Sequence, residues 1–194
     1  NGRGKEPLNI DKIHSMVGYA TEGITGVSAS HVEMNSGIQF ADGMSTDDIQ
    51  QILIKSANDL ISLENPNYQY VAARLLLFSL RKKLYRRLWE HPKFIDQIKN
   101  CITQGVYDKD ILTHYTESEI DRMGMWIHHE QDYKFTYAGL RQVMDKYLVQ
   151  DRSTGDIFET PQFMYMMIAA TLFAQYSKET RLTYVKKYYD AISK

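Results

Sequence analysis

Four groups of residues carry side chains that could do chemistry. His128, His129, Glu130 and Asp132 are a run of metal-ligating types, and Cys101 is the single thiol. Ser45-Thr46-Asp47-Asp48 sets hydroxyls and two acids at the start of a helical pattern, and Arg81, Lys82, Lys83, Arg86 and Arg87 gather cations at the end of another. A metal centre needs ligands that converge, whereas adjacent histidines on a helix point in different directions, and no third ligand has helical spacing to both. The run is therefore not read as a metal site. Cys101 lies in an amphipathic stretch with Ile95, Ile98 and Ile102, where a thiol behaves as a small core residue. Ser45 to Asp48 suit a helix N-terminus and the basic cluster suits a C-terminus. Taken singly, Lys12 and Lys82 read as solvated surface charges. Met164, Met166 and Met167, with Tyr165 and Phe173, read as core rather than as a cofactor pocket.

The whole chain narrows the classes further. Its 194 residues suffice for one domain or two small ones. A net charge of -1 gives no electrostatic reason to invoke nucleic acid or an anionic membrane. One cysteine excludes an internal disulfide framework and a zinc site built from several thiolates, which fits a reducing, cytoplasmic setting. The longest apolar run, 163–174 with a break at Thr171, is shorter than the roughly 20 residues that span a bilayer. No glycine-rich phosphate loop, zinc-binding pair or nucleophile elbow is present. The chain opens on Asn1 rather than Met, and Asn1-Gly2 is a hairpin-turn signal with no strand before it, so residues upstream are expected to be missing.

Helical periodicity dominates the elements that must position these groups. Ile10, Ile13, Met16 or Val17 and Ala20 line one face of a short helix, with Asn9 or Asp11 placed to cap it. A second short helix is expected from Val32 to Ile38, before a turn at Asp42-Gly43. A third follows the Ser45 cap, its apolar positions read as Ile49, Ile52, Leu53, Ala57, Leu60 and Ile61. After the Asn65-Pro66-Asn67 turn a strongly apolar helix covers 70–85. A boundary is placed near His91-Pro92, and two or three helices should fill 93–125. Tyr147-Leu148-Val149 and Asp156-Ile157-Phe158, around Ser153-Thr154-Gly155, read as a small hairpin. Pro161 opens a buried helix, and a last amphipathic helix covers about 178–192.

Taken in order, several blocks are recognisable. Leu8-Asn9-Ile10-Asp11-Lys12-Ile13, Thr46-Asp47-Asp48-Ile49, Tyr68-Gln69-Tyr70-Val71-Ala72-Ala73-Arg74 and Leu80-Arg81-Lys82 resemble an ATP-cone. Asp132-Tyr133-Lys134-Phe135-Thr136-Tyr137, Lys146-Tyr147-Leu148 and Glu159-Thr160-Pro161-Gln162-Phe163-Met164 resemble the helical region that follows the cone in large subunits of class I ribonucleotide reductases. The resemblance implies a mainly α chain. Residues 1–87 would be a cone of one small hairpin plus four helices, and 88–194 a helical region with one small β-hairpin, ending before the catalytic barrel. The catalytic cysteines of such enzymes lie beyond this stretch, so no catalytic residue is assigned here and the segment alone should be inactive.

By the same resemblance the cone would bind ATP or dATP as an overall-activity effector, with Mg entering only alongside the nucleotide and no metal held by protein ligands. Lys12 and Lys82 would meet phosphates. Glu6 and Asn9 would lie at the nucleoside end, and Thr46, Asp48 and Ile49, with Ile13 and Gln50 nearby, would form the helix start beside the nucleotide. The implied partners are the remainder of the large subunit, a second large subunit in a homodimer and the small radical-generating subunit, with neither nucleic acid nor membrane. Two departures stand out. The family normally has a basic pair on the strand just before the hairpin turn, and this sequence does not include that strand, so part of the phosphate cradle is expected to be absent or undetermined. Gln50 stands where relatives strongly inhibited by dATP commonly carry histidine, and a glutamine cannot become cationic. Weak dATP inhibition is the expectation. The alternative is a stand-alone nucleotide-sensing or helical interaction module, but repressors built on such a cone carry a cysteine-paired zinc ribbon that one cysteine cannot supply.

Overall fold

The computed structural model describes residues 8–37, 39–41 and 43–194. Glu6, the Asn1-Gly2 signal, the expected N-terminal hairpin, Ile38 and Asp42 lie outside the described residues. The chain divides into two compact units, one holding the described residues up to Ser79 together with Phe135–Arg141, the other Leu80–Lys134 and Gln142–Lys194.

The first unit contains four helices among its described residues before the division: α1 (Ile10–Thr21), α2 (Ala29–Gly37), α3 (Thr46–Asp59) and most of α4 (Tyr68–Tyr85). Asn9 caps α1, its Oδ1 accepting from the Lys12 amide at 3.0 Å, and the inward stripe Ile13, Met16, Val17 and Ala20 follows the 3.6-residue period. Packed against both α1 and α3 is α2, through the buried Val32. Ser45 caps α3 in a complete capping box: its hydroxyl accepts from the Asp48 amide at 3.0 Å, while the Asp48 carboxylate receives the Ser45 amide and hydroxyl. The buried residues of α3 are Gln50, Leu53, Ile54, Ser56 and Ala57. In α4 the run from Val71 to Phe78 is buried almost all round except at Arg74, whose guanidinium donates to the carbonyl of Glu22 at 2.6 Å beyond the end of α1. Tyr68 and Asn67 tie the start of α4 to the α1–α2 loop, through Tyr68 Oη accepting from the Ser28 amide at 3.1 Å and Asn67 donating to Thr25.

The second unit is built from α5 (Phe94–Thr103), α6 (Ile111–His114), α7 (Glu117–Met125), a 3-10 turn (His129–Lys134), the last turns of α8 (Tyr137–Lys146), α9 (Pro161–Leu172) and α10 (Arg181–Ile192). Its core is Phe94, Ile98, Ile120, Met123, Phe163, Met166, Ala169, Val185 and Tyr189. Two helices, α5 and α7, approach closely at Gly124, where a Cβ would stand 3.2 Å from the Phe94 Cβ. Arg181, at the start of α10, is nearly buried and grips both carboxylate oxygens of Glu119 at 2.6 Å, a two-pronged pair that fixes α10 on α7.

The hairpin expected at 147–158 shrinks to a single antiparallel bridge, Gln150 with Ile157. The groups that would lengthen the ladder have other partners, the Val149 amide donating to Glu159 Oε1 and the Phe158 carbonyl accepting from Gln97 Nε2, both at 2.8 Å. The Gln150 side chain turns back to the Met144 and Asp145 carbonyls at the end of α8, and Asp151 Oδ1 accepts from the amide and hydroxyl of Ser153. Gly155, at φ +77°, then completes the turn. Helix α10 likewise begins at Arg181 rather than near 178, because the amides of Thr180 and Arg181 turn onto the Ser177 carbonyl. No helix among the described residues is long and apolar enough to cross a membrane.

Candidate functional site

Of the expected nucleotide-contacting residues that are described, all but Gln50 lie at two helix starts of the first unit and one helix end assigned to the second. At the start of α1, Asn9 Oδ1 already serves the Lys12 amide and Ile13 belongs to the buried stripe, while Lys12 is exposed. At the start of α3, Thr46 and Asp48 are exposed and Ile49 is half-buried. The Asp48 carboxylate occupies the cap amide, so with Asp47 it presents negative charge at the positive end of the helix. A phosphate brought there would meet two carboxylates. A sugar hydroxyl or a base amino group would find acceptors.

Gln50 departs furthest from its expected place. Only 6% of it is exposed, and its Nε2 donates to the Leu75 carbonyl of α4 at 2.9 Å. It occupies the first position of the inward stripe 50, 53, 54, 57 rather than the exposed helix start. Lys82 is exposed on the last turn of α4, in the second unit. Its assignment to phosphate is carried by the resemblance of its sequence block.

A second polar assembly, in the other unit, was not anticipated. Arg81, counted in the basic cluster at the end of α4, is 2% exposed. Its Nη1 donates to Tyr133 Oη and its Nη2 to the His129 carbonyl, both at 2.9 Å, and Nη2 stands 3.5 Å from Asp132 Oδ2. Asp132 is 1% exposed and neither of its oxygens has a hydrogen bond at ordinary length. Burial raises its pKa to about 7 against the downward pull of Arg81. His91 stacks on His129 with ring centroids 3.6 Å apart and planes 2° from parallel. Burial, with Arg81 adding to it, lowers His91 to about 4, and burial followed by the charges of His91 and Arg81 lowers His129 to about 2, so both rings are neutral. The only advance signal was positional: Arg81 follows Leu77 and Phe78 at helical spacing, on a side of α4 that is apolar.

This assembly is structural rather than reactive. Among the described residues no three His, Cys, Asp or Glu side chains converge to hold a metal ion. His128 points away to Glu130, with Nδ1 to Oε1 at 3.2 Å. Cys101 is buried, receives Gln97 Nε2 at 3.1 Å and is pushed up to about 12, first by burial and then by the nearby Glu159, so it stays a thiol. Glu159 in turn accepts from the Tyr107 hydroxyl and from the Val149 amide, which braces the 150–157 turn.

Comparison with known proteins covers both units. Residues 2–83 match the family described as the ATP cone domain, and residues 133–194 match the one described as the ribonucleotide reductase, all-alpha domain. Over 97% of its length the chain is 49% identical to ribonucleoside-diphosphate reductase 1 subunit alpha of Escherichia coli strain K12. It is 48% identical to the corresponding alpha subunit of Haemophilus influenzae and 45% identical to that of Enterobacteria phage T4, each again over 97% of the chain. The chain spans about a quarter of the length of these curated relatives, 25% of the first two and 24% of the third.

Proposed function

The chain belongs to the family of ribonucleotide reductase large subunits, and from that premise we propose that it is the N-terminal regulatory and helical segment of a ribonucleoside-diphosphate reductase. In this reading residues 1–87 form a cone that binds ATP or dATP, with Mg carried by the nucleotide, and 88–194 form the helical region beside it. The whole subunit would make deoxyribonucleotides for DNA synthesis in the cytoplasm, as a homodimer working with a small radical-generating subunit. None of the catalytic thiols would come from this segment, and the chain by itself is expected to turn over no ribonucleoside diphosphate.

The observation that carries the proposal is the ATP cone match over 2–83, which runs through α1 to α4 and includes Lys82. Electrostatics orients the ligand within it. The carboxylates of Asp47 and Asp48 disfavour phosphate at the start of α3, so Thr46, Asp48 and Ile49 take the nucleoside. The phosphates go to Lys12 and Lys82, whose ammonium groups give charge-assisted contacts. Asn9 and Ile13 then act chiefly by holding the first turn of α1, and Glu6 would join at the nucleoside end. An effector of this kind acts only through its different affinity for two states of the subunit, so binding to the cone is the first thing to establish. Calorimetric titration of the chain with ATP tests it. Saturable binding at one class of site is expected, and no heat of binding at millimolar ATP would end the proposal.

A further inference from the structure

Gln50 sits where an effector-facing side chain was expected, yet it belongs to the interior of its unit. The buried stripe of α3 reads 50, 53, 54, 57, the i, i+3, i+4, i+7 pattern of a helix face turned to a neighbour. A polar residue on such a stripe needs a partner, and Gln50 has one in the Leu75 carbonyl of α4 at 2.9 Å. The bond spans 25 residues of sequence and falls one turn into α3, beside the cap that sets the helix start. Farther along α3, Leu53, Ile54 and Ala57 continue the same buried face with apolar contacts, so Gln50 supplies the directional link near the end that carries Thr46, Asp48 and Ile49.

We propose that Gln50 is a positioning residue of the effector site: its amide ties the first turns of α3 to α4 and thereby fixes where Thr46, Asp48 and Ile49 stand, without itself meeting a phosphate. The inference rests on the nucleotide reading of the cone. It changes what a substitution at this position means. An imidazole placed at residue 50 would be buried between two helices, where desolvation keeps it neutral, so it would bring no cation to a phosphate.

Two variants of the full 194-residue chain test this, titrated with ATP and with dATP. Gln50→Met keeps the side chain's length and removes its donor. Because the helix start is shared by both nucleotides, affinity for each should fall by the same factor, roughly three- to tenfold, the equivalent of one net hydrogen bond. Amide exchange should quicken in the first turns of α3 more than in its last turn. Gln50→His should show the same dependence of affinity on pH between 6 and 8 as the unmodified chain, the ionisation of the nucleotide being common to both. A folded Gln50→Met variant with unchanged affinities and unchanged exchange at the start of α3 overturns the proposal. So does a Gln50→His variant that gains affinity at pH 6 relative to the unmodified chain, since that gain requires an imidazolium facing phosphate. Should the unmodified chain bind neither nucleotide, the effector reading fails by itself, and the exchange pattern alone decides whether the α3–α4 tie exists.

Discussion

The start of α3 and the end of α4 are both crowded with polar side chains, but water reaches one and not the other. Ser45, Thr46, Asp47 and Asp48 are exposed, and their hydrogen bonds close within a single turn. Arg81 and Asp132, both shut away from solvent, and the half-buried His129 are drawn from segments about fifty residues apart. An exposed polar group can exchange its partners for water or for a ligand at little cost. A buried one that loses its partner keeps the full penalty of desolvation. The first arrangement suits a site that must fill and empty; the second suits a joint that must not move.

Breaking the joint should have the largest effect. Arg81→Ala removes the cation beside the buried Asp132 and the donor shared by the Tyr133 hydroxyl and the His129 carbonyl, and is expected to cost about 3–5 kcal/mol of stability. Urea unfolding of the chain measures it, and a loss below about 1 kcal/mol would erase the contrast between the two regions. Lys82→Ala, one residue further along the same helix, should behave in the opposite way. The fold should hold while ATP affinity drops roughly ten- to hundredfold, the equivalent of one charge-assisted contact of about 1.5–3 kcal/mol. An unchanged dissociation constant would return Lys82 to the solvated surface.

Acid sharpens the comparison. His91 and His129 are neutral in the fold, at about 4 and about 2, against 6.5 for the free side chain. Below pH 6.5 the unfolded chain therefore binds more protons at these two sites, and stability falls as pH drops. Asp132 works against them, because its value of about 7 lies above the usual 3.8 and the folded form holds that proton more firmly. Two protons against one leave a net loss of about 1–2 kcal/mol between roughly pH 6.5 and 4.5, discounted for the partial exposure of His91. Urea midpoints at the two pH values check this. The Asp132→Asn variant should lose stability more steeply over the same interval, and a shallower loss would mean that Asp132 is ionised throughout. The smallest effect belongs to the open end: Ser45→Ala removes the α3 cap and should cost about 1 kcal/mol, read from the shift in thermal midpoint.

The sequence revealed elements better than their facing. Caps and 3/4 spacing located α1 to α4, α9 and α10 to within a few residues. In α3, however, Ile49 and Ile52 compete with Gln50 and Ile54 for the inward side, and the resemblance sets Gln50 beside the nucleotide because nothing local shows the Leu75 carbonyl that holds it. Arg81 was misjudged for a similar reason, since its partners lie 48 and 52 residues away. The hairpin shrinks for a reason that lies outside it: alternating residues promise two short strands, but the Val149 amide and the Phe158 carbonyl, which a longer ladder would use, are taken by Glu159 and Gln97. The nucleotide residues were legible only as ordered blocks, because Asn9, Ile13 and Asp48 each have an ordinary structural duty that accounts for them singly.

The buried thiol of Cys101 makes the second unit its own gauge. As the one cysteine in the chain, enclosed and held in its protonated form, it offers nothing to a maleimide or a mixed-disulfide reagent until the packing around α5 opens. The labelling rate in native buffer thus reports how often that unit breathes, at a single known position and without any engineered probe. Titrating an effector into such an assay would show whether what happens at the cone is felt at α5.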